Sequence, residues 1–274
     1  MIAPFTTGPT SLKSVIWYQA ESDSPPTTPP GYYACQQPAT VNAWRAAFRA
    51  PNLPWGFVQL TPCTGGAGWG GLRQDQLAAL ALPNTFFVPT PDLGDPLSSW
   101  GDIHSTRKQG VGERLSAALQ ATVYPKNNNK TGASSNQRLS SYPPPSFLDQ
   151  EVFTSGTNQT VVVTLQLSGS PVIFNASAGC DVQQDLCGFN MAIQTDDGRG
   201  NVFWWNASLG SIVNSPDNLT ATLTFKSSNP SFNPQQCAVG TAYAQGGWNV
   251  AQLITEDGWP VIPWNQSQTV WGPC

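Results

Sequence analysis

The spacing of apolar residues changes once along this chain, and that change constrains the fold more than any other feature. Up to about residue 125, short apolar runs alternate with segments whose apolar residues recur every three or four positions, as on one face of a helix. This alternation predicts strand-helix units and a parallel sheet. The predicted strands are 15–19, 55–60 and 84–90, and the predicted helices are 34–48, 71–82 and 105–123.

Beyond residue 150, apolar and polar residues alternate with a period of two, and turn residues separate the runs. This pattern is typical of antiparallel strands that bury one face. The stretch between the two patterns is rich in Asn, Ser and Pro, as exposed connections are. We therefore predict an α/β domain over residues 1–125, a linker over 126–150 and an all-β, sandwich-like domain over 151–274.

Charge and hydropathy exclude two classes of partner. Only 10% of the 274 residues are charged, the net charge is −4, and the Lys and Arg residues form no basic run. A nucleic-acid-binding surface needs such a run or stripe, so we expect no nucleic-acid partner. No apolar stretch approaches the roughly 18 residues that a membrane span requires, so we expect no membrane partner.

Glycosylation triplets and cysteines indicate an oxidising compartment. Six cysteines fit a chain that forms disulfides, and we expect the pairs Cys35–Cys63, Cys180–Cys187 and Cys237–Cys274. Six Asn-x-Ser/Thr triplets all follow residue 125, which favours a glycoprotein that is secreted or lysosomal. They begin at Asn129, Asn158, Asn175, Asn206, Asn218 and Asn265.

The first residues lack the charged start and apolar core of a signal peptide. We expect either that a signal was removed or that the chain starts inside a longer protein.

His104, the single histidine, is the first candidate for catalysis. It follows the third predicted strand and lies just before a predicted helix, at the edge where α/β proteins place their chemistry. A general base needs a histidine whose second ring nitrogen is fixed by an acceptor, and Asp102 lies two residues away. The alternatives are a structural histidine and an aspartate that only stabilises a turn.

Gln19 and Glu21 end the first predicted strand and share its edge of the sheet with the His104 loop. An amide N–H of Gln19 can donate to a developing oxyanion. Glu21 can orient His104 or simply accept from a loop backbone. The nearby glycine-rich stretch 63–71 is either a flexible connection or a lid that carries Trp69 as a sugar-stacking residue.

Several segments, taken in order, resemble the sialate O-acetylesterase family of SGNH-type hydrolases. Residues 241–264 also resemble the end of that family, which favours it over the acetylxylan esterase relatives. The resembling segments in the first half are "MIAP", "IWYQAESDS", "YYACQQPATVNAWRAAF", "WGFVQL", "LRQDQ", "LPNTFFVPTPDLGD" and "DIHSTRKQGVGERL".

The resemblance implies an α/β/α sandwich that removes O-acetyl groups from sugars, chiefly from 9-O-acetylated sialic acids. It implies a serine nucleophile, His104 as the proton acceptor and later donor, and Gln19 as an oxyanion donor. It implies no metal and no cofactor. The acid that orients the histidine stays open between Asp102 and Glu21, since Gly101 occupies the position three residues before His104 where many relatives carry aspartate.

The nucleophile is the largest departure from the family. Its serine belongs to a Gly-Gln-Ser-Asn block upstream of the segment that contains Gln19, and this sequence has no such block. We therefore expect Met1 to correspond to an internal methionine, and the chain to match the second half of an esterase with its β-domain. The chain alone should then be nearly inactive, because loss of a triad nucleophile costs about a millionfold in rate.

Three alternatives remain open at the level of sequence. The chain is a non-catalytic glycan-binding paralogue, an esterase with acetylxylan esterase-like activity, or one partner of a split enzyme. Joint presence of Gln19, Glu21, Asp102 and His104 argues against the first, because a binding protein needs no base.

Overall fold

The chain divides into two compact units, Met1–Tyr142 and Pro143–Cys274. In the described part of the chain, no helix combines the length and the apolar character needed to cross a membrane. The structure is a computed structural model that describes residues 3–6, 11–24, 27–63, 68–124, 142–155, 158–175, 191–196, 202–227, 237–244 and 253–267.

The first unit is built on a parallel sheet of three strands in the order β1-β2-β3. Val15 pairs with Trp55, and Trp55 with Thr85, so all three strands begin at the same edge. The strands are β1 (Val15–Trp17), β2 (Trp55–Gln59) and β3 (Thr85–Pro89). The helices are α1 (Ala3–Thr6), α2 (Tyr32–Ala47), α3 (Trp69–Gln76) and α4 (Lys108–Thr122), and α3 continues as a 3₁₀ helix over Leu77–Ala81.

Aromatic side chains join helix α2 to this sheet. The rings of Trp17 and Trp55 lie 5.6 Å apart on neighbouring strands, and Trp44 of α2 packs edge-on against both, at 6.2 and 5.6 Å. Phe57 stacks on Phe87 at 5.6 Å. Because aromatic side chains bury large areas, these contacts explain how three short strands hold a helix.

The predicted strands and helices of the first unit exist, but one helical face was predicted wrongly. Residues 71–82 were expected to form one continuous helix with Leu72, Gln76, Ala79 and Leu80 on its buried stripe. The first three are buried, whereas Leu80 is 40% exposed. The α-helix ends at Gln76, and the tighter 3₁₀ turn that follows has three residues per turn, which moves Leu80 away from the stripe.

The second unit is all-β and antiparallel. It contains two four-stranded sheets, ordered β4-β5-β10-β9 and β13-β11-β7-β8, and a two-stranded sheet of β12 and β6. The strands are β4 (Ser146–Ser155), β5 (Asn158–Gln166), β6 (Val172–Phe174), β7 (Met191–Asp196), β8 (Val202–Asn206), β9 (Ser208–Asn214), β10 (Thr220–Ser227), β11 (Cys237–Tyr243), β12 (Leu253–Thr255) and β13 (Trp264–Ser267).

One buried cluster joins the sheets of this second unit. Val163 of β5 and Leu223 of β10 come from one four-stranded sheet, and Tyr243 of β11 and Trp264 of β13 come from the other. Two sheets that share a core in this way form a sandwich. The predicted class, an α/β domain with a parallel sheet followed by a β-sandwich-like domain, is confirmed.

Strand β4 begins at Ser146, inside the segment 126–150 that was predicted as a linker, and residues 125–141 lie outside the described residues. The expected Cys35–Cys63 disulfide is not formed in the structure, in which Cys35 is exposed on α2 and Cys63 is buried. Cys180, Cys187 and Cys274, which belong to the other two expected pairs, lie outside the described residues.

Gly56 tests how closely the parallel sheet is packed. A Cβ at this position would collide with the ring of Phe86 and approach Ile16 Cδ1 to 3.0 Å. We expect Gly56→Ala to lower the free energy of unfolding by about 1–3 kcal/mol, the usual cost of overpacking a core. Urea unfolding followed by circular dichroism measures this.

Gly112→Ala is the matched control, because a Cβ at this position on α4 meets nothing within 4 Å. We expect it to raise the stability by roughly 0.5–1 kcal/mol, since alanine favours a helix over glycine. Equal stability of the two variants would contradict the close packing of β2 on β3.

Candidate active site

The chain turns sharply after β1. Ala20 is fully buried and has φ 151° and ψ −8°, a backbone conformation in which a residue with a side chain is strained. A 3₁₀ turn, Glu21–Asp23, follows directly. The backbone N–H of Ala20 donates to Glu21 Oε2 at 3.0 Å, and the N–H of Asp23 donates to the carbonyl of Ala20 at 2.8 Å. Gln19 is therefore fixed at the carboxyl end of β1.

Two neighbours orient the side-chain amide of Gln19. The hydroxyl of Tyr33 lies 3.0 Å from Gln19 Oε1 and 3.2 Å from the Gln19 carbonyl oxygen, and Trp17 Nε1 donates to that hydroxyl at 3.3 Å. Gln19 Nε2 donates to Asp23 Oδ2 at 2.6 Å. An amide nitrogen carries two N–H groups, so one remains for a ligand.

Tyr33 was not recognised as a site residue from the sequence, and its environment is unusual. The pKa of its hydroxyl is raised to about 12, mainly by burial; the hydrogen bond from Trp17 opposes the rise, and the negative charges of Asp23 and Glu21 contribute to it. The hydroxyl therefore keeps its proton at neutral pH and can donate to Gln19. Its place on the buried face of α2, with Gln37 and Val41, was the signal available in the sequence.

Gln76 joins the ends of β1 and β2. It is fully buried, and its Oε1 accepts from the N–H of Leu60 at 3.0 Å. Its Nε2 donates to the carbonyls of Val58 at 3.0 Å and Gln19 at 3.4 Å. A side chain of α3 thus satisfies backbone groups at the strand ends that would otherwise be buried without partners.

Other side chains of α3 are equally buried. Trp69 donates from Nε1 to the carbonyl of Thr61 at 2.7 Å, so its ring belongs to the core and is not available to stack on a sugar. Arg73 Nε donates to the carbonyl of Leu60 at 2.8 Å. Burial lowers the pKa of the Arg73 guanidinium to about 9, while the charge of Cys63 opposes the shift.

His104 is exposed, but its backbone is held firmly. The hydroxyl of Ser98 donates to the His104 carbonyl at 2.7 Å, and the His104 N–H donates to the carbonyl of Gly101 at 2.9 Å. The hydroxyl of the next residue, Ser105, is buried and donates to the carbonyl of Leu93 at 2.5 Å. The imidazole therefore reaches solvent from a fixed position.

Two further carboxylates hold the loop between β3 and α4. Asp92 forms a two-point ion pair with Arg114 of α4, at 2.7 and 2.6 Å, and the Arg114 side chain is 6% exposed. Asp95 accepts from both the hydroxyl and the N–H of Thr106, and the hydroxyl is the main reason why its pKa lies below the usual value. The ion pair, which is largely buried, and the exposed Asp95 contacts together favour one loop conformation.

The Gln19 turn and the His104 loop meet at one edge of the sheet. Tyr18 and Ile103 both pack against a buried cluster that contains Ala20 and Leu72. Lys108, at the start of α4, donates to the Tyr18 hydroxyl at 3.1 Å and lies 4.4 Å from the centre of its ring. The residue before Gln19 and the residue before His104 thus share one hydrophobic support.

Asp102 and Glu21 stay open as the acid that would orient His104. The Glu21 carboxylate accepts from the backbone beside it. Within the described ranges, no group of three or more His, Cys, Asp and Glu side chains has a geometry that would hold a metal ion.

The raised pKa of Tyr33 predicts a loss of stability in alkali. Between pH 10 and about 12 the unfolded chain releases this proton while the folded chain keeps it, so the free energy of unfolding falls as pH rises. Two pKa units correspond to roughly 2–3 kcal/mol. At neutral pH, Tyr33→Phe should cost about 1–3 kcal/mol, because Gln19 Oε1 and Trp17 Nε1 lose their partner.

The measurement is urea unfolding of both proteins from pH 8 to pH 11. We expect the stability difference between wild type and Tyr33→Phe to be constant up to about pH 10 and to narrow above it. Tyr32→Phe is the matched control, since the Tyr32 side chain is 52% exposed. A difference that stays constant at every pH would show that Tyr33 does not keep its proton as described.

Comparison with known proteins shows which proteins this chain resembles. A family model described as carbohydrate esterase, sialic acid-specific acetylesterase, matches residues 3–121, which include Gln19, Glu21, Asp102 and His104. The sialate O-acetylesterases of Rattus norvegicus and Homo sapiens are each 33% identical over 135 residues. These alignments cover 43% of this chain and 24% and 25% of the two relatives, so the chain spans about a quarter of their length.

A solved structure supports the same relationship. The crystal structure of a novel carbohydrate acetylesterase from Xanthomonas citri superposes with a TM-score of 0.67 and 26% identity. The superposition covers 97% of this chain and 52% of that one. Residues 3–121 are thus similar in sequence to the carbohydrate esterase family of sialic acid-specific acetylesterases, and the chain shares the fold of a carbohydrate acetylesterase.

Proposed function

We propose that this chain forms part of an esterase that removes O-acetyl groups from sialic acids. The single observation that carries the proposal is that Gln19 and His104, to which the resemblance assigns the oxyanion donor and the catalytic histidine, lie within residues 3–121 on segments that share one hydrophobic support. His104 is proposed as general base and acid, and Gln19 as oxyanion donor. The fixed backbone of His104 and the oriented amide of Gln19 suit these roles, because catalysis depends on groups that need no rearrangement.

The proposed reaction is acyl transfer through a serine. The His104 imidazole takes the proton of the serine hydroxyl as its oxygen attacks the acetyl carbonyl carbon. The carbonyl oxygen becomes an oxyanion and accepts from Gln19 Nε2. The tetrahedral intermediate then releases the sugar oxygen, which takes the proton from His104. Water, activated by His104, attacks the acetyl-serine in the same way and releases acetate.

The serine and the orienting acid are further parts of this proposal. The nucleophile is the serine of a Gly-Gln-Ser-Asn block, which these 274 residues do not contain, so the chain by itself should be nearly inactive. Asp102 and Glu21 are both candidates to orient His104. Asp102 lies on the same loop, whereas Glu21 would have to give up its bond with the Ala20 N–H.

Secretion or lysosomal targeting, with N-glycosylation, is proposed on the six triplets. Asn218, one of the acceptors, lies at the turn between β9 and β10 beside exposed Leu219. Turns of this kind are accessible to a glycosylating enzyme. A mass decrease after N-glycosidase treatment of the protein from its native source would support the proposal, and an unchanged mass would reject it.

The activity test is acetate release from O-acetylated N-acetylneuraminic acid by the protein translated from its full transcript. We expect His104→Ala to lower kcat at least about 1,000-fold, since the base takes part in every proton transfer. Lys13→Ala, at an exposed position outside the site, is the control. Comparing Asp102→Asn with Glu21→Gln identifies the orienting acid as the one whose loss lowers kcat without raising KM.

Retained turnover in His104→Ala would reject the assignment. Faster release from acetylated xylan than from the sialic acid would point to acetylxylan esterase-like activity. A second candidate, non-catalytic glycan binding, is favoured by Trp100, whose ring is 78% exposed in the His104 loop. Glycan binding without acetate release by the full transcript product would support that candidate.

A further inference from the structure

A cavity of about 190 Å³ lies next to the Gln19 turn. Its wall includes the side chains of Asp23, Tyr33, Leu72 and Asp75 and the backbone of Gly31 and Gly71. The volume is below the roughly 300 Å³ at which pockets for drug-sized ligands begin. The cavity therefore suits one small group of a ligand and is too small for an extended glycan chain.

The polar wall of the cavity consists of two carboxylates with defined partners. Asp23 Oδ2 accepts from Gln19 Nε2 at 2.6 Å, and Asp75 Oδ2 accepts from the N–H of Gly31 at 3.0 Å. Each carboxylate can accept several hydrogen bonds, so both can still receive hydroxyl protons from a ligand. Burial raises the pKa of Asp75, which agrees with its place in the wall.

The remaining wall is apolar or without side chains. Leu72 and Tyr33 offer apolar surface, and Gly71 lines the cavity without a side chain, with open space where its Cβ would lie. A wall that combines acceptors with apolar surface matches a chain of carbon atoms that bear hydroxyl groups. It does not match an anion, because the two carboxylates would repel it at close range.

Asp23 connects the cavity to the proposed reaction centre. The same carboxylate that lines the cavity binds the amide of Gln19, the proposed oxyanion donor. A ligand whose acetyl carbonyl lies at Gln19 would therefore have its nearest hydroxyl groups beside Asp23. This adjacency makes the cavity a subsite of the same ligand.

We propose that this cavity binds the hydroxylated side chain of an O-acetylated sialic acid, with Asp23 and Asp75 accepting from its hydroxyl groups. The inference rests on the proposed function and deepens it.

The experiment uses binding to the 274-residue chain and needs no turnover. The ligands are the methyl glycoside of N-acetylneuraminic acid and its analogue with a side chain shortened by periodate cleavage and reduction. The variant is Gly71→Leu, because a Cβ at this cavity position meets nothing within 4 Å and leucine favours a helix. Gly112→Leu on α4, equally open at Cβ, is the matched control.

We expect the wild type and Gly112→Leu to bind the intact glycoside at least about tenfold more tightly than the shortened one, as hydrogen bonds to charged groups predict. In Gly71→Leu the preference for the intact over the shortened glycoside should vanish, while the melting temperature stays unchanged or rises. Equal binding of both ligands by the wild type, or a full preference in Gly71→Leu, would overturn the inference. Neither outcome tests the proposed esterase function, because the acetate assay with His104→Ala tests that separately.

Discussion

The site depends on the way in which α3 fixes the ends of β1 and β2. In a three-stranded parallel sheet, backbone groups at the strand ends have few partners, and leaving them buried without any costs about 1–3 kcal/mol each. The side chains of Gln76 and Arg73, both on α3, supply hydrogen-bond partners for these backbone groups. Because Gln76 also reaches the carbonyl of Gln19, the contact that closes the sheet also sets the position of the proposed oxyanion donor.

The His104 loop combines a rigid backbone with a side chain that is open to solvent. Its rigidity comes from backbone contacts and from the buried Asp92–Arg114 pair, while the imidazole itself stays exposed. An exposed imidazole on a fixed backbone can rotate toward a partner when a substrate excludes water. Hydrogen bonds of catalytic histidines commonly tighten only in the complex with substrate, which is compatible with the role proposed for His104.

Periodicity predicted the parallel sheet, its helices and the edge where Gln19 and His104 lie, because these depend on local apolar spacing. It did not predict the burial of Trp69, which follows a glycine-rich stretch without regular apolar spacing. Tyr33 lies at helical spacing from Gln37 and Val41, but that spacing indicates burial and does not reveal the contact with Gln19. In the second half, the period of two predicted antiparallel strands as a class but missed the start of β4 at Ser146, because strand bounds in a sandwich depend on partners distant in sequence. Leu80 is exposed because the helix changes from α to 3₁₀ geometry before it, and the spacing of leucines and alanines does not reveal that change.

The aromatic contacts beneath β1 have an optical consequence. The indoles of Trp17, Trp44 and Trp55 lie within 6.2 Å of one another at angles of 35–80°, close enough for their electronic transitions to couple. Trp17 also donates to the hydroxyl that holds Gln19. The near-ultraviolet circular dichroism of these three tryptophans is therefore an intrinsic reporter of the packing that supports Gln19, the proposed oxyanion donor, and it needs neither a label nor a substrate.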